Sequence, residues 1–318
     1  MTLVMTKRKK SPPTAKPCIF CPRPRGSKEH FWPEWMHPIL PPPPVEPRHN
    51  RLAFSSSPFT EMTKQGRENT QGSLYNIRMR VVCARCNNGW MNTLETDARP
   101  HLTPLITGER VTLDRAALDI VAKWITLKIM VAEHAEDDLA VTPRSDRMSF
   151  RDHGIIPPYF RIYVASHALP FEKSVGYFRN SRSLAIRREG ENSPKNLSEI
   201  ISRSLQDEPP KFSPPLGDVS NNIQTVTFFL GMVFVHATAA RVDGFEIENM
   251  VRMPTLYDTA RIWPPAGGGM DWPREPAFNL KQVDSIAGSM ETGFRAQNLF
   301  WVSEAPEQET SAFPGGTE

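Results

Sequence analysis

Hydrophobic and polar positions change rhythm several times along this chain. Across residues 74–82 they alternate, with Leu74, Asn76, Arg78 and Arg80 on one side and Tyr75, Ile77, Met79 and Val81 on the other. That two-residue period predicts a strand with one apolar face. A little further on, Trp90, Leu94 and Ala98 recur every four residues and predict a short helix, which Pro100 is expected to end. Asp114 stands where it would cap a second helix running to about His134, in which Leu118, Val121, Ile125, Ile129 and Ala132 form a broad apolar stripe. Phe160, Ile162 and Val164 alternate as a strand, and Val175 and Tyr177 do so more weakly. Residues 197–205 read as a further helix. The run 226–235, rich in valine and phenylalanine and broken by Gly231, predicts a buried strand or a tight hairpin.

These elements describe an α+β protein with a loop-rich beginning. The chain holds 31 prolines against 18 glycines, and 13 of the prolines precede residue 61, so long extended or irregular segments are expected there. Pro41 to Pro44 stand in a row and fit only a polyproline-like or irregular path. The longest apolar stretch, about residues 116–132, is interrupted by Asp119, Lys123 and Lys128, which argues against a membrane span. No leader pattern opens the chain, so the expectation is a cytoplasmic protein. Residues 1–16 read as a disordered basic arm, 17–110 as one module, 111–302 as a separate α+β unit, and 303–318 as a disordered acidic tail.

Charge separates the two parts. The first 100 residues hold 16 Lys and Arg against 7 Asp and Glu, while the remaining 218 hold 22 against 28. A basic module joined to a mildly acidic one points to a polyanionic partner for the first, with nucleic acid the default.

All four cysteines fall in two Cys-x-x-Cys pairs, Cys18 with Cys21 and Cys83 with Cys86. Two such knuckles supply the four thiolates of a structural zinc site, and the cytosolic setting disfavours disulfides. Free buried thiols and two disulfides are the alternatives. The 61 residues between Cys21 and Cys83 exceed the span of a compact zinc ribbon, so the insertion is expected to carry something of use.

That insertion opens with Lys28-Glu29-His30-Phe31-Trp32-Pro33, and the second knuckle is followed at once by Asn87-Asn88-Gly89-Trp90. The order Cys-x-x-Cys, Glu-His-x-x-Pro, Cys-x-x-Cys-Asn resembles the zinc-containing branch of the HNH endonucleases, over about residues 17–100. The resemblance implies a ββα-metal module, with a β-hairpin and a helix around a divalent ion. It implies His30 as the general base that activates water, and Glu29 and Asn87 as ligands of Mg²⁺ or Mn²⁺. The family's base-orienting asparagine has its counterpart at Arg78, and Asn76, on the same strand face, is the substitute; Glu95 and Asp97 are alternative carboxylates for the metal. Arg78, Arg80 and Arg85 cluster around the second knuckle and suit phosphate contacts, which give affinity without sequence specificity. Trp32 and Trp35 are expected in the core beside a small metal site rather than stacked on bases.

The resulting expectation is a metal-dependent endonuclease that hydrolyses nucleic acid, with double-stranded DNA as partner and no membrane partner. The resemblance suggests a setting in bacterial or phage defence or in mobile elements. Any homo-oligomer contact is assigned to the second unit. A non-catalytic, zinc-stabilised nucleic-acid-binding or adaptor protein is the alternative.

Overall fold

The computed structural model describes residues 16–40, 78–135, 139–168, 175–182, 221–242 and 258–289, together with Ile247 and Leu256. The helix expected at 197–205, the residue Asn76, and the segments 1–15 and 303–318 lie outside these.

Two short strands open the described chain. β1 (Ser27–His30) pairs antiparallel with β2 (Arg78–Val82) through His30↔Arg78, Glu29↔Met79 and Ser27↔Val82. Between the last two pairs β2 carries one residue more than β1, a bulge that lets both Val81 and Val82 turn inward. The alternation read from the sequence holds over Arg78–Val81, with Arg78 and Arg80 exposed, and breaks at the bulge, where Val82 is buried beside Val81.

After Cys83 the chain makes a single helical turn, α1 (Ala84–Cys86), and a widened turn (Asn87–Met91) kinked at Gly89, then runs as α2 (Asn92–Thr107). The expected stop at Pro100 does not occur; Pro100 and Pro104 both lie inside α2. An interior proline costs about 3 kcal/mol through its lost donor and steric clash. Here Ala98, Leu102, Leu105 and Ile106 are buried on α2, and that burial offsets the cost. The helix ends instead at Gly108, which takes the left-handed conformation.

β3 (Val111–Asp114) leads into α3 (Arg115–Ala132), whose first turn is capped as expected: the Asp114 carboxylate accepts the Ala117 N–H at 2.8 Å. The apolar stripe is wider than its sequence pattern suggests. Trp124, Leu127, Met130 and Val131 are buried as well, so α3 is enclosed on nearly all sides.

α4 (Arg144–His153) follows, and then an antiparallel sheet of five strands: β4 (Phe160–Ser166), β5 (Val175–Arg182), β6 (Ile223–Leu230), β7 (Val233–Ala240) and β8 (Ala260–Trp263), in the order β5-β6-β7-β4-β8. β9 (Gly269–Trp272) returns to pair with β3, and α5 (Leu280–Ala287) follows it. The run 226–235 thus resolves into a tight hairpin turning at Gly231 and Met232. Gly231 has a φ of 58°, and a Cβ there would lie 2.1 Å from the Ile106 carbonyl oxygen, so both conformation and space require glycine. Met232 N–H donates to that same carbonyl at 2.9 Å, joining the hairpin tip to the end of α2.

The protein is therefore of mixed α+β class. Its apolar core runs without a gap past residue 110, where a division was expected: one buried cluster includes Ile19, Trp32, Trp124, Phe228 and Ile262. Trp32 makes the join, with its ring 6.3 Å from that of Trp124 in α3 and 5.4 Å from that of Phe228 in β6. Among the described residues no helix is long and apolar enough to cross a membrane.

Candidate functional site

The two knuckles come together because the strand pair carries them. Ile19 N–H donates to the Val81 carbonyl and Gly26 N–H to the Val82 carbonyl, so the first knuckle lies alongside the end of β2, from which the second departs. All four cysteines are buried, and their Sγ atoms lie within 4.8 Å of one another. The Cys21 and Cys83 sulfurs are 3.5 Å apart and all four thiols are free, which sets aside the disulfide alternative. Zinc–sulfur bonds of about 2.3 Å place tetrahedral thiolates about 3.8 Å apart, so the cluster could hold a metal ion and is compatible with structural zinc.

The thiols are electrostatically unequal. Burial pushes the Cys18 thiol up. Burial also acts on Cys83, but hydrogen bonds from the Cys86 backbone and from the neighbouring thiols outweigh it and bring that thiol down to about 7. Burial drives the Cys86 thiol well above the ordinary range. Four sulfurs this close cannot all ionise without a cation among them, and bound metal supplies that compensation by displacing the protons. Aromatic rings shield the cluster, with Trp90 edge-on to Phe20 at 5.0 Å and to Phe150 at 5.8 Å.

The Glu29-His30 dipeptide is split between the faces of β1. Glu29 turns inward and is 5% exposed. Its Oε1 accepts from Lys128 Nζ at 3.0 Å, and the same ammonium is bonded to Glu95 of α2 and, at 3.4 Å, to the His30 carbonyl oxygen. Lys128 is wholly buried toward the C-terminal end of α3. Burial alone would lower its basicity, but Glu29 and Glu95 overcome this and hold it above the ordinary lysine range, so it stays charged. Burial raises the Glu29 carboxyl, with the Lys128 charge opposing the rise.

His30 turns the other way. Its side chain is 24% exposed, and its Nε2 lies 3.1 Å from Glu34 Oε1, four residues further along the chain. Arg78, paired with His30 across the ribbon, reaches the same Glu34 oxygen at 3.7 Å. Lys28 and Arg80 are exposed on this outer side, so the histidine sits on a cationic face. Asn87 is half-buried, and its Nδ2 donates to Ser27 Oγ at 2.8 Å, tying the widened turn to the start of β1. Arg85 is exposed on α1, and Asp97 is exposed on α2.

The structure thus gathers the four cysteines, and separately joins Glu29 with Glu95. It does not bring Glu29 and Asn87 onto a shared ligand: one is committed to Lys128 and the other to Ser27. Among the described residues the cysteines are the one group of three or more His, Cys, Asp and Glu side chains close enough to share a metal ion. Glu29 and Asn87 as placed do not present a ready site for a hard cation.

Lys128 and Glu34 are functional candidates absent from the sequence reading. Lys128 carried a signal, since it occupies the Val121–Trp124–Ile125 face of an otherwise apolar helix, where a charge requires a partner. Glu34 carried none: it follows His30 by four residues, but the two lie on a strand end and the start of a separate turn, Glu34–Met36. Trp32 and Trp35 are packed as expected, with Arg99 lying 5.5 Å over the Trp35 ring. No protein-family model, curated protein or solved structure matches the chain.

Proposed function

We propose that this protein is a nuclease of the HNH type, hydrolysing phosphodiester bonds of nucleic acid, DNA rather than RNA, at the outer face of the β1–β2 ribbon. The observation that carries this reading is His30: an accessible imidazole, paired with a carboxylate at 3.1 Å, on a ribbon face bearing Lys28, Arg78 and Arg80, next to a four-cysteine cluster. Glu34 holds one ring nitrogen, which leaves the other to take a proton from water. The three cations would draw a phosphate to that nitrogen, and Arg85 extends the positive surface beyond the ribbon. In this reading the four cysteines hold a structural zinc. The resemblance also implies a divalent ion such as Mg²⁺ or Mn²⁺, for which Glu29 and Asn87 as placed offer no ready ligand set.

A second reading is favoured by Lys128. Its ammonium neutralises Glu29, the carboxylate the resemblance assigns to the metal, which suits a zinc-stabilised nucleic-acid-binding or adaptor protein that has kept the frame without the chemistry.

The deciding experiment incubates the purified full chain with supercoiled plasmid, short duplexes and single strands in Mg²⁺, Mn²⁺ or EDTA. Nicking that requires the divalent ion supports the nuclease. Binding without cleavage under every ion supports the second reading, and in that case Arg78→Ala and Arg80→Ala each flatten the salt dependence by about one unit of slope.

A further inference from the structure

Helix α4 meets the first cysteine knuckle along its backbone. Arg144 Nη1 donates to the Cys18 carbonyl at 2.9 Å, Arg147 Nε to the Ile19 carbonyl at 3.0 Å, and Arg151 Nη1 to the Phe20 carbonyl at 2.7 Å. Three arginines spaced three and four apart share one face of the helix, and their acceptors are three consecutive residues beginning at a cysteine of the cluster. Nothing else in the described chain concentrates cationic donors on backbone in this way.

The central arginine is fixed from both sides. Arg147 is buried and also bonds the Thr142 carbonyl. Thr142 in turn gives its N–H and its hydroxyl to the Glu133 carboxylate, at 2.9 and 2.7 Å. Glu133 is wholly buried and accepts from Gln224 of β6 as well, so the arginine is anchored through this network to the five-stranded sheet.

One of the three peptide units addressed by the arginines also faces a sulfur. The Phe20 N–H bonds the Cys18 sulfur. The carbonyl of that same peptide unit, on Ile19, is the one that Arg147 holds. A guanidinium on the carbonyl draws electron density from the N–H and strengthens its bond to a thiolate. Four thiolates around one zinc carry a net charge of about −2, and the guanidiniums bordering the knuckle offset part of it, Arg151 less than the others because Asp152 pairs with it at 2.7 Å.

We propose that α4 is the outer wall of the metal centre, with Arg144, Arg147 and Arg151 as positioning residues that hold the first knuckle in ligating shape and stabilise its thiolates. The inference rests on the reading of the four cysteines as a zinc site. It makes metal affinity a property of a helix far along the chain, anchored to the sheet, rather than of the knuckles alone.

The test is a Co²⁺ titration of the reduced, metal-stripped full chain, read by thiolate-to-cobalt charge-transfer absorption, followed by competition with Zn²⁺. Arg147→Met and Arg151→Met should each weaken Co²⁺ and Zn²⁺ binding on the order of 10- to 100-fold, the effect typical of losing an outer partner of a metal ligand. Arg147→Lys, which keeps the charge and one donor, should recover part of the loss. Circular dichroism at saturating zinc shows whether each variant is folded; should Arg147→Met fail to fold, the half-buried Arg151 carries the test. Affinities within about twofold of the parent for folded variants would overturn the proposal while leaving the zinc site in place. Absence of any cobalt–thiolate absorption in the parent chain would overturn the zinc reading itself.

Discussion

Lys128 Nζ, wholly buried toward the C-terminal end of α3, lies 3.0 Å from the Glu29 carboxylate on β1, and the same ammonium also bonds Glu95 of α2. One lysine therefore ties the strand and both long helices together at the point where an HNH-like module would place a cation. An internal charge there needs no ligand and cannot dissociate, which favours a fixed structure over an exchangeable ion. Removing one member of a buried ion cluster leaves the rest uncompensated. Lys128→Met is expected to destabilise the protein by about 3–5 kcal/mol in urea unfolding. Adding Glu29→Gln and Glu95→Gln to that variant should restore most of the loss, since neutral groups tolerate the interior better. A single variant within about 1 kcal/mol of the parent would show that the cluster is solvated in solution.

The cysteine cluster shares its core with the sheet, through Ile19, Phe31, Trp32 and Tyr177. Metal loss should therefore be felt far from the knuckles. Metal analysis of the full chain is expected to return about one zinc, and chelation or Cys83→Ser should abolish the near-ultraviolet signal of the buried tryptophans, including Trp124 on α3. A metal-free protein with that signal intact would count against a structural zinc.

Much of this arrangement could be read from residue order, and most exceptions turn on contacts between residues far apart in the chain. The knuckle spacing, the Asp114 cap, the alternation at Arg78–Val81 and the glycine-broken run that became the β6–β7 hairpin are local patterns, and they held. Pro100 misled because a local helix stop was overridden by the burial of Leu102, Leu105 and Ile106. Lys128 was visible only as an interruption of an apolar stripe, since its partners lie 33 and 99 positions away. The α4 arginines were silent for another reason: their acceptors are backbone carbonyls, which every residue has. The division expected at residue 110 rested on charge and on the change of pattern; the ring contact of Trp32 with Trp124 crosses that position.

His30 and Glu34 form the pair on which chemistry would depend. If His30 is the base, His30→Ala should lower cleavage by on the order of 10²–10⁴-fold while zinc content and nucleic-acid binding stay near those of the parent. Glu34→Gln keeps an acceptor for the ring but removes the charge, and should cost less than His30→Ala. The assignment fails if the parent cleaves and His30→Ala cleaves equally fast.

Acid should weaken the fold through histidines far from that face. His236 on β7 is wholly buried, its Nδ1 lies 2.8 Å from Thr227 Oγ1, and burial pushes its pKa down to about 3; burial likewise brings His167 down to about 4, against a hydrogen bond to the Gly231 carbonyl that raises it. Both are neutral in the folded protein at pH 5, whereas an unfolded histidine titrates near about 6.5. As pH falls through about 6.5 the unfolded chain takes up protons that the folded chain refuses, so stability is full above that value and declines toward pH 4. With each proton worth about 1.4 kcal/mol per pH unit, two histidines give a steep loss between about pH 6 and pH 4.5. Urea midpoints measured across that range should fall accordingly, and His236→Gln, which cannot titrate there, should lose roughly half of the slope. An unchanged slope in that variant would mean that the β6–β7 interior admits the proton, and that the imidazole is not held neutral by burial.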